Sequence, residues 1–392
     1  METKKIGELC SISKKSIMPK EGVTYTLYSL PSYDKDMTPE TLLGEEIKSA
    51  KLVLTDNTIL YNKLNVHFKR IWNVGQLCTA NNVCSTEFLP LKVKGENVCQ
   101  DYLYYVLRDE TLTQAMYGAR RGTSGSQQRI APETLLEYEV PFFPIEEQRK
   151  IAGLLKDLDD RIYANRMIKE NLTQQARALF QAWFIDFEPF EGSVPSDWKT
   201  VTLGDIATIQ TRVFSPEKNP EVTIEHYSIP AFDSIHYPIF EKASEVKSNK
   251  YLLTKESVMI SKLNPDTKRI WRPLCLSDYP VCSTEFIVYE ANEVAHKDFL
   301  FSIIDSMPFF HHLCSHTTGS TNSRQRAMPK STLEFEVLLP PESIIRAFCD
   351  MVSPIYDLAA TRDAENQCLV QTRDTLLPNL ISGKMDIKNL SE

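Results

Sequence analysis

Lys63, Asn65, Lys69 and Arg70 put cations and a side-chain amide into one short stretch of this chain, and Arg121, Gln128 and Arg129 make a second. Equivalent residues return at Lys262, Asn264, Lys268 and Arg269, offset 199, and at Gln325 and Arg326, offset 197. Lysine and arginine neutralise phosphates, and asparagine or glutamine hydrogen-bonds a phosphate or a base edge, pairing bidentately with adenine. These thirteen residues are therefore the candidate contacts to DNA. The bland reading is that the charges are solvated loop residues, since phosphate contact needs only reach and positive charge. Trp72 and Trp271, beside the Lys-Arg pairs, read as core rather than as base-stacking platforms.

Other chemistry is thinner. Glu87 and Glu285 each lie in a copy of Cys-Ser-Thr-Glu-Phe. With Lys63 and Lys262 they would give a pseudo-symmetric enzyme one Lys/Glu site per copy, but no nucleophile with a base, metal set or cofactor loop accompanies them. Carboxylates repel phosphate, so the motif reads as structural, its Glu pairing with a nearby Arg or Lys. His311, His312, Cys314 and His316 are a ligand-rich cluster, yet the equivalent stretch Gln114–Ala119 has neither His nor Cys, which argues against a metal. Gly-x-x-x-x-Gly-Lys-Ser/Thr, a strand followed by Gly-x-Gly-x-x-Gly, and Asn/Asp-Pro-Pro-Tyr are all missing. No catalytic residue, metal or cofactor is expected.

The net charge of −8 argues against a freestanding nucleic-acid binder. Residues 1–144 hold 17 basic and 17 acidic side chains, and 196–340 hold 15 and 18. Ile59–Asn73 and Met116–Ile130 nevertheless contain cations and no acid, and Val258–Leu274 is net +3. Such local segments can seat a phosphate backbone weakly, with help from a partner. The nine cysteines lack Cys-x-x-Cys spacing, the N-terminus lacks a signal peptide's apolar stretch, and no apolar run is long enough to span a membrane, so reduced thiols and a cytoplasmic location are expected.

The elements that position these residues come in two copies. Tyr28-Ser-Leu-Pro-Ser-Tyr-Asp34 returns as Tyr227-Ser-Ile-Pro-Ala-Phe-Asp233, Lys69-Arg-Ile-Trp72 as Lys268-Arg-Ile-Trp271, and Cys84–Phe88 unchanged as Cys282–Phe286. A repeat near 199 residues is a duplicated domain, far longer than a solenoid period. Strands are expected at Ile59–Leu64, Phe88–Val93 and Leu136–Phe142, and a helix at Asp101–Met116; the second copy gives strands at Val258–Leu263, Glu285–Tyr289 and Leu333–Leu339 and a helix near Lys297–Asp305. A long helix follows each copy. Its stripe is Ile151, Leu155, Leu158, Ile162, Leu172 and Leu179 in the first and Phe348, Val352, Ile355, Leu369 and Leu376 in the second, interrupted midway by Asn165 and Lys169 and by Arg362 and Asn366. Matching stripes predict antiparallel pairing of the two helices, polar insertions setting the register; the alternative is that each helix folds back on its own domain. Pro354 is expected to kink or interrupt the second helix. The fold class is α+β: two similar mixed domains, 1–144 and 196–340, separated by helical spacers 145–195 and 341–392, with pseudo-two-fold internal symmetry.

Gly122-Thr-Ser-Gly-Ser-Gln-Gln-Arg-Ile130, Leu136-Glu-Tyr-Glu-Val-Pro141, Pro144-Ile-Glu-Glu-Gln-Arg-Lys-Ile151, Ala182-Trp-Phe-Ile-Asp-Phe-Glu-Pro189 and the closing Leu376-Leu-Pro-Asn-Leu-Ile-Ser-Gly-Lys384 together resemble the specificity subunit of type I restriction-modification systems. The order of these weak motifs and their duplication carry the resemblance over essentially the whole chain. It implies two target-recognition domains, each reading half of a bipartite double-stranded DNA target. The helices holding them apart would dock two methyltransferase (modification) subunits, with restriction subunits engaged indirectly and no membrane partner. Pro341-Glu-Ser-Ile-Ile-Arg departs from the first copy's Pro-Ile-Glu-Glu-Gln-Arg, so the two docking faces need not be equal. Identical motifs cannot explain different half-sites. Val66-His67-Phe68 against Pro265-Asp266-Thr267 is therefore the better candidate for sequence readout. A third reading is a coiled-coil scaffold that never touches nucleic acid.

Overall fold

Thr58–Asn62 is a strand buried at every residue, and its centre is accordingly a continuous Ile-Leu-Tyr run rather than an alternation. In the computed structural model, which describes residues 2–119, 128–292, 296–318, 325–385 and 387, this strand lies inside a four-stranded antiparallel sheet ordered Cys10–Ile12, Phe88–Val93, Thr58–Asn62, Ile71–Val74. A five-stranded mixed sheet runs Ser16–Ile17, Lys51–Val53, Asn82–Cys84, Thr24–Tyr28, Glu40–Leu43. Its one parallel pairing sets Thr26 against Asn82. Glu2–Lys5 pairs with Glu139–Phe142 as a separate ribbon.

The second copy repeats the strand order element for element. Its sheets run Ala207–Gln210, Phe286–Ala291, Ser257–Ser261, Ile270–Trp271, and Val213–Phe214, Lys250–Leu252, Pro280–Ser283, Thr223–Tyr227, Ile239–Lys242, with Lys199–Thr202 against Glu336–Leu339. The duplication is therefore one of topology as well as of motif. The expected helix Asp101–Met116 is instead two, Gln100–Arg108 and Glu110–Gly118. Asp109 adopts an extended backbone and its carboxylate accepts the Thr111 N–H, so a capping residue stops one helix and starts the next. Lys297–Asp305 is a helix as expected.

Both long helices have 40 residues, Ile145–Phe184 and Glu342–Ile381. Pro354 does not interrupt the second. Pro354 and Asp350, whose carbonyl loses its partner there, are both exposed, so water can satisfy what the missing N–H leaves open. Contacts divide the chain into two compact units, residues 1–161 with 369–392, and 162–368, so each unit takes half of each long helix.

In the first unit, Ile151 and Leu155 share a core with Leu103, Leu107, Leu377 and Leu380. Asp159 accepts from the Tyr105 hydroxyl at 2.9 Å and from Arg108 and Arg373 at 2.7 Å each. In the second unit the two half-helices run antiparallel: Asn165 meets Asn366 at 3.1 Å and Lys169 meets Asp363 at 2.7 Å, while Phe184 packs on Phe348 at 4.9 Å between ring centroids. Phe180, Phe348 and Val352 enter the same core as Phe299 and Ile303. Helix-to-helix pairing and packing onto the domain, set against each other in the sequence reading, thus occur together. Among the described residues no helix is long and apolar enough to cross a membrane.

Candidate nucleic-acid interface

Each unit gathers its repeated motifs at one end of the four-stranded sheet. Past Thr58–Asn62 the chain turns at Asn65, whose φ of 51° is left-handed; Asn264 turns alike at 48°. Asparagine tolerates that region better than most side chains. The Lys63 N–H donates to the Glu87 carbonyl, the Ile130 N–H to the Lys63 carbonyl and the Asn65 N–H to the Gln128 carbonyl, at 2.9–3.1 Å. The second unit makes the same three bonds from Lys262, Ala327 and Asn264 to Glu285, Lys262 and Gln325. Lys63, Asn65, Gln128 and Arg129, distant in sequence, therefore sit side by side, as do Lys262, Asn264, Gln325 and Arg326. Arg121 lies outside the described residues.

Most of the arginines and lysines are neither solvated nor free. Arg129 donates bidentately to Glu87 at 2.8 and 2.9 Å, and Arg326 to Glu285 at 2.9 and 3.1 Å. Arg70 clasps Asp34 at 2.6 and 2.7 Å, and Arg269 clasps Asp233 at 2.6 and 3.0 Å. Lys69 pairs with Glu110 and Lys268 with Asp305. Hydrogen bonding from Arg129 holds the Glu87 carboxyl below the usual range, although burial opposes it. A carboxylate with both oxygens engaged by a guanidinium is poorly placed to act as a general acid or base. Among the described residues, no carboxylate lies within ion-pair distance of Lys63 or Lys262; both residues are half-buried, and Lys63 still acts on the Glu87 carboxyl through space.

Sequence reading expects Glu87 and Glu285 to pair with a nearby Arg or Lys, as they do, but misses Asp34, Asp233, Glu110 and Asp305 as partners. A signal for two of them is present: Asp34 and Asp233 end the repeated Tyr-Ser-x-Pro motifs at the same offset of 199 as Arg70 and Arg269, and the two motifs bind each other in both units. Trp72 and Trp271, each 7% exposed, complete the clasp against Tyr28 and Tyr33, and against Tyr227 and Phe232. Of the helix stripe, Ile151, Leu155, Ile162, Phe348 and Val352 are buried. Leu158, Leu172, Leu179, Ile355, Leu369 and Leu376 are partly so. In the His cluster the His312 ring contacts the Ser331 carbonyl and the His316 ring the His312 carbonyl, each at 2.9 Å, so both rings are engaged by backbone.

The chain is thus a duplicated α+β fold in which each copy closes its own sheets and each unit takes half of each long helix. The type-I restriction-modification system S subunit from M. genitalium has the same fold, with a TM-score of 0.59 at 17% identity over 97% of this chain and 96% of that one. Residues 1–174 match the type I restriction modification DNA specificity domain. In sequence the chain is similar to two specificity subunits of type I restriction enzymes from Methanocaldococcus jannaschii. It is 24% identical to MjaIX over 75% of this chain and 71% of that protein, and 22% identical to MjaVIII over 89% and 85%. Over residues 1–174 by domain, and along most of its length in sequence, the chain is thus similar to type I restriction-modification specificity subunits.

Proposed function

We infer that this protein is the DNA sequence-recognition subunit of a type I restriction-modification complex, and that it is itself non-catalytic. The observation that carries the reading is the doubled cluster: one half-buried lysine with no ion-paired carboxylate among the described residues, beside an amide pair and held by the same three backbone bonds in each of two units. In this reading residues 1–144 and 196–340 each read one half of a bipartite duplex target, and the segments 145–195 and 341–392 set the distance between half-sites. Lys63 and Lys262 make the primary phosphate contacts, with Asn65, Gln128, Asn264 and Gln325 within reach of phosphate or base edges. Lys69, Arg70, Arg129 and their counterparts mainly shape the loops, because their charge is already matched.

Two methyltransferase subunits dock on the helices, and the restriction subunits join through them in the cytoplasm. Tyr163 and Met167, 65% and 41% exposed and one turn apart on the first long helix, offer an apolar hold for such a partner. A Lys/Glu enzyme is disfavoured by the Arg129–Glu87 and Arg326–Glu285 pairs. The test is a methylome of cells producing this chain with its modification subunit. A two-part motif with a fixed gap is expected; methylation without a bipartite motif, or dependent on one unit alone, would refute the reading.

A further inference from the structure

The loop between the left-handed asparagine and the clasped arginine has the same two ends in the two units and is filled differently, a 3-10 turn over Val66–Phe68 in the first and a plain turn in the second. Asn65 and Arg70 bracket it in the first, Asn264 and Arg269 in the second, and Val66 and Pro265 are the buried anchors. The next two side chains point outward in both: His67 and Phe68, and Asp266 and Thr267. A constant frame presenting a variable exposed pair is what two related units need in order to read different bases.

Phe68 is 55% exposed, a cost the chain could avoid with a polar residue. Its ring is held in place, with the His67 ring 4.1 Å away and the Arg70 guanidinium stacked 4.7 Å from its centroid. This is an apolar plate held in the same loop as the candidate cations. Asp266 is the opposite case. Asp34, Glu87, Asp233 and Glu285 are all clasped by arginine, whereas among the described residues no cation lies within ion-pair distance of Asp266, although its segment is net +3. The Cys314 thiol beside it is only a weak donor. An exposed carboxylate in a segment of net positive charge repels phosphate and so weakens backbone contact, and a gain elsewhere must offset it. In the major groove that gain is a base amino group. Cytosine suits a carboxylate better than adenine, since the amino group of adenine is flanked by the N7 acceptor, which repels the second oxygen, while that of cytosine is flanked by C5–H.

We propose that Phe68 and Asp266 discriminate bases, Phe68 selecting a thymine by its methyl group in the first half-site and Asp266 selecting a cytosine by its 4-amino group in the second. The assignment rests on the DNA-recognition reading above. The experiment is the methylome of cells producing the full chain with its modification subunit, for wild type, Phe68→Ala and Asp266→Asn. Asparagine pairs with adenine, so Asp266→Asn should move one position of the second half-site from C·G to A·T, with a preference change of at least about tenfold, and leave the first half-site untouched. Phe68→Ala should relax one T·A position of the first half-site by a similar factor. An unchanged motif in either variant, a change in the other half-site, or a uniform loss across all sites overturns the assignment while a bipartite wild-type motif still stands. A wild-type methylome without a bipartite motif overturns the DNA-recognition reading and the assignment with it.

Discussion

Arg70 and Lys63 lie seven residues apart and do opposite things with the same charge. The Arg70 side chain is 14% exposed and bound at two points to Asp34, so its removal takes away a charge-assisted pair and the plane on which Phe68 stacks. We expect Arg70→Ala to destabilise the first unit by about 1–2 kcal/mol, discounted because Asp34 is half exposed. Asp34→Asn should shift unfolding the same way, and the double variant should cost less than the sum. Lys63→Ala should change stability by less than about 0.5 kcal/mol. It should instead lower the salt slope of DNA binding by the assembled complex by about one. Urea unfolding and a salt titration read the two effects separately, and an Arg70→Ala variant of unchanged stability and reduced salt slope would reverse the assignment.

The first long helix is held, within each unit, by charged groups at equivalent places on the domain but of opposite sign. Arg108, on Gln100–Arg108, reaches Asp159 on the first long helix. At the equivalent position on Lys297–Asp305 the second unit has Asp305, gripped by Arg177 at 2.6 and 3.0 Å. Burial alone would raise the Asp159 carboxyl, but Arg108 and Arg373 hold it below the usual range; burial likewise opposes, and Arg272 outweighs it, at Asp298. A carboxyl depressed in the folded state contributes stability that is present above its unfolded value of about 4 and is lost as pH falls below that. Stability should therefore hold on the acid side down to about pH 4 as far as these two groups are concerned, then drop. Asp159→Asn should cost about 2 kcal/mol at neutral pH and flatten part of that drop, because it leaves Arg108 and Arg373 without their anion. Thermal unfolding between pH 3 and 7 measures both, and a parallel downward shift at every pH would show that Asp159 is not held ionised by these arginines.

For the whole molecule the net charge of −8 limits what two small cationic clusters can achieve, the more so because most of their arginines are internally matched. The chain alone should bind its duplex at least about tenfold more weakly than the complex with its modification subunits, a difference that a gel-retardation series at fixed salt would show. Equal affinities would mean that the clusters suffice by themselves. If the helices set the spacing between half-sites, four residues added to each add about 6 Å of rise, close to two base-pair steps. The preferred gap should lengthen while the bases read stay the same, as scored on duplexes differing only in spacer length.

Much of this was legible in the sequence, because duplication writes the same physical requirement twice. The duplication, the strands around Ile59 and Phe88, the 40-residue first helix and the burial of Trp72 and Trp271 follow from repeated motifs and from apolar periodicity, which is a local property. The break at Asp109 was hidden because the apolar positions run straight through it, and only the carboxylate's turn toward Thr111 N–H reveals a cap. The seamless passage through Pro354 was hidden as well, since it depends on which face of the helix meets water. The tertiary structure alone decided which charges are free. Composition counts Arg70, Arg129 and Lys63 as equal cations, but a charge's effect depends on what lies within a few ångströms, and Asp34 comes from the short helix Leu30–Asp36 and Glu87 from a turn, which only the fold brings near.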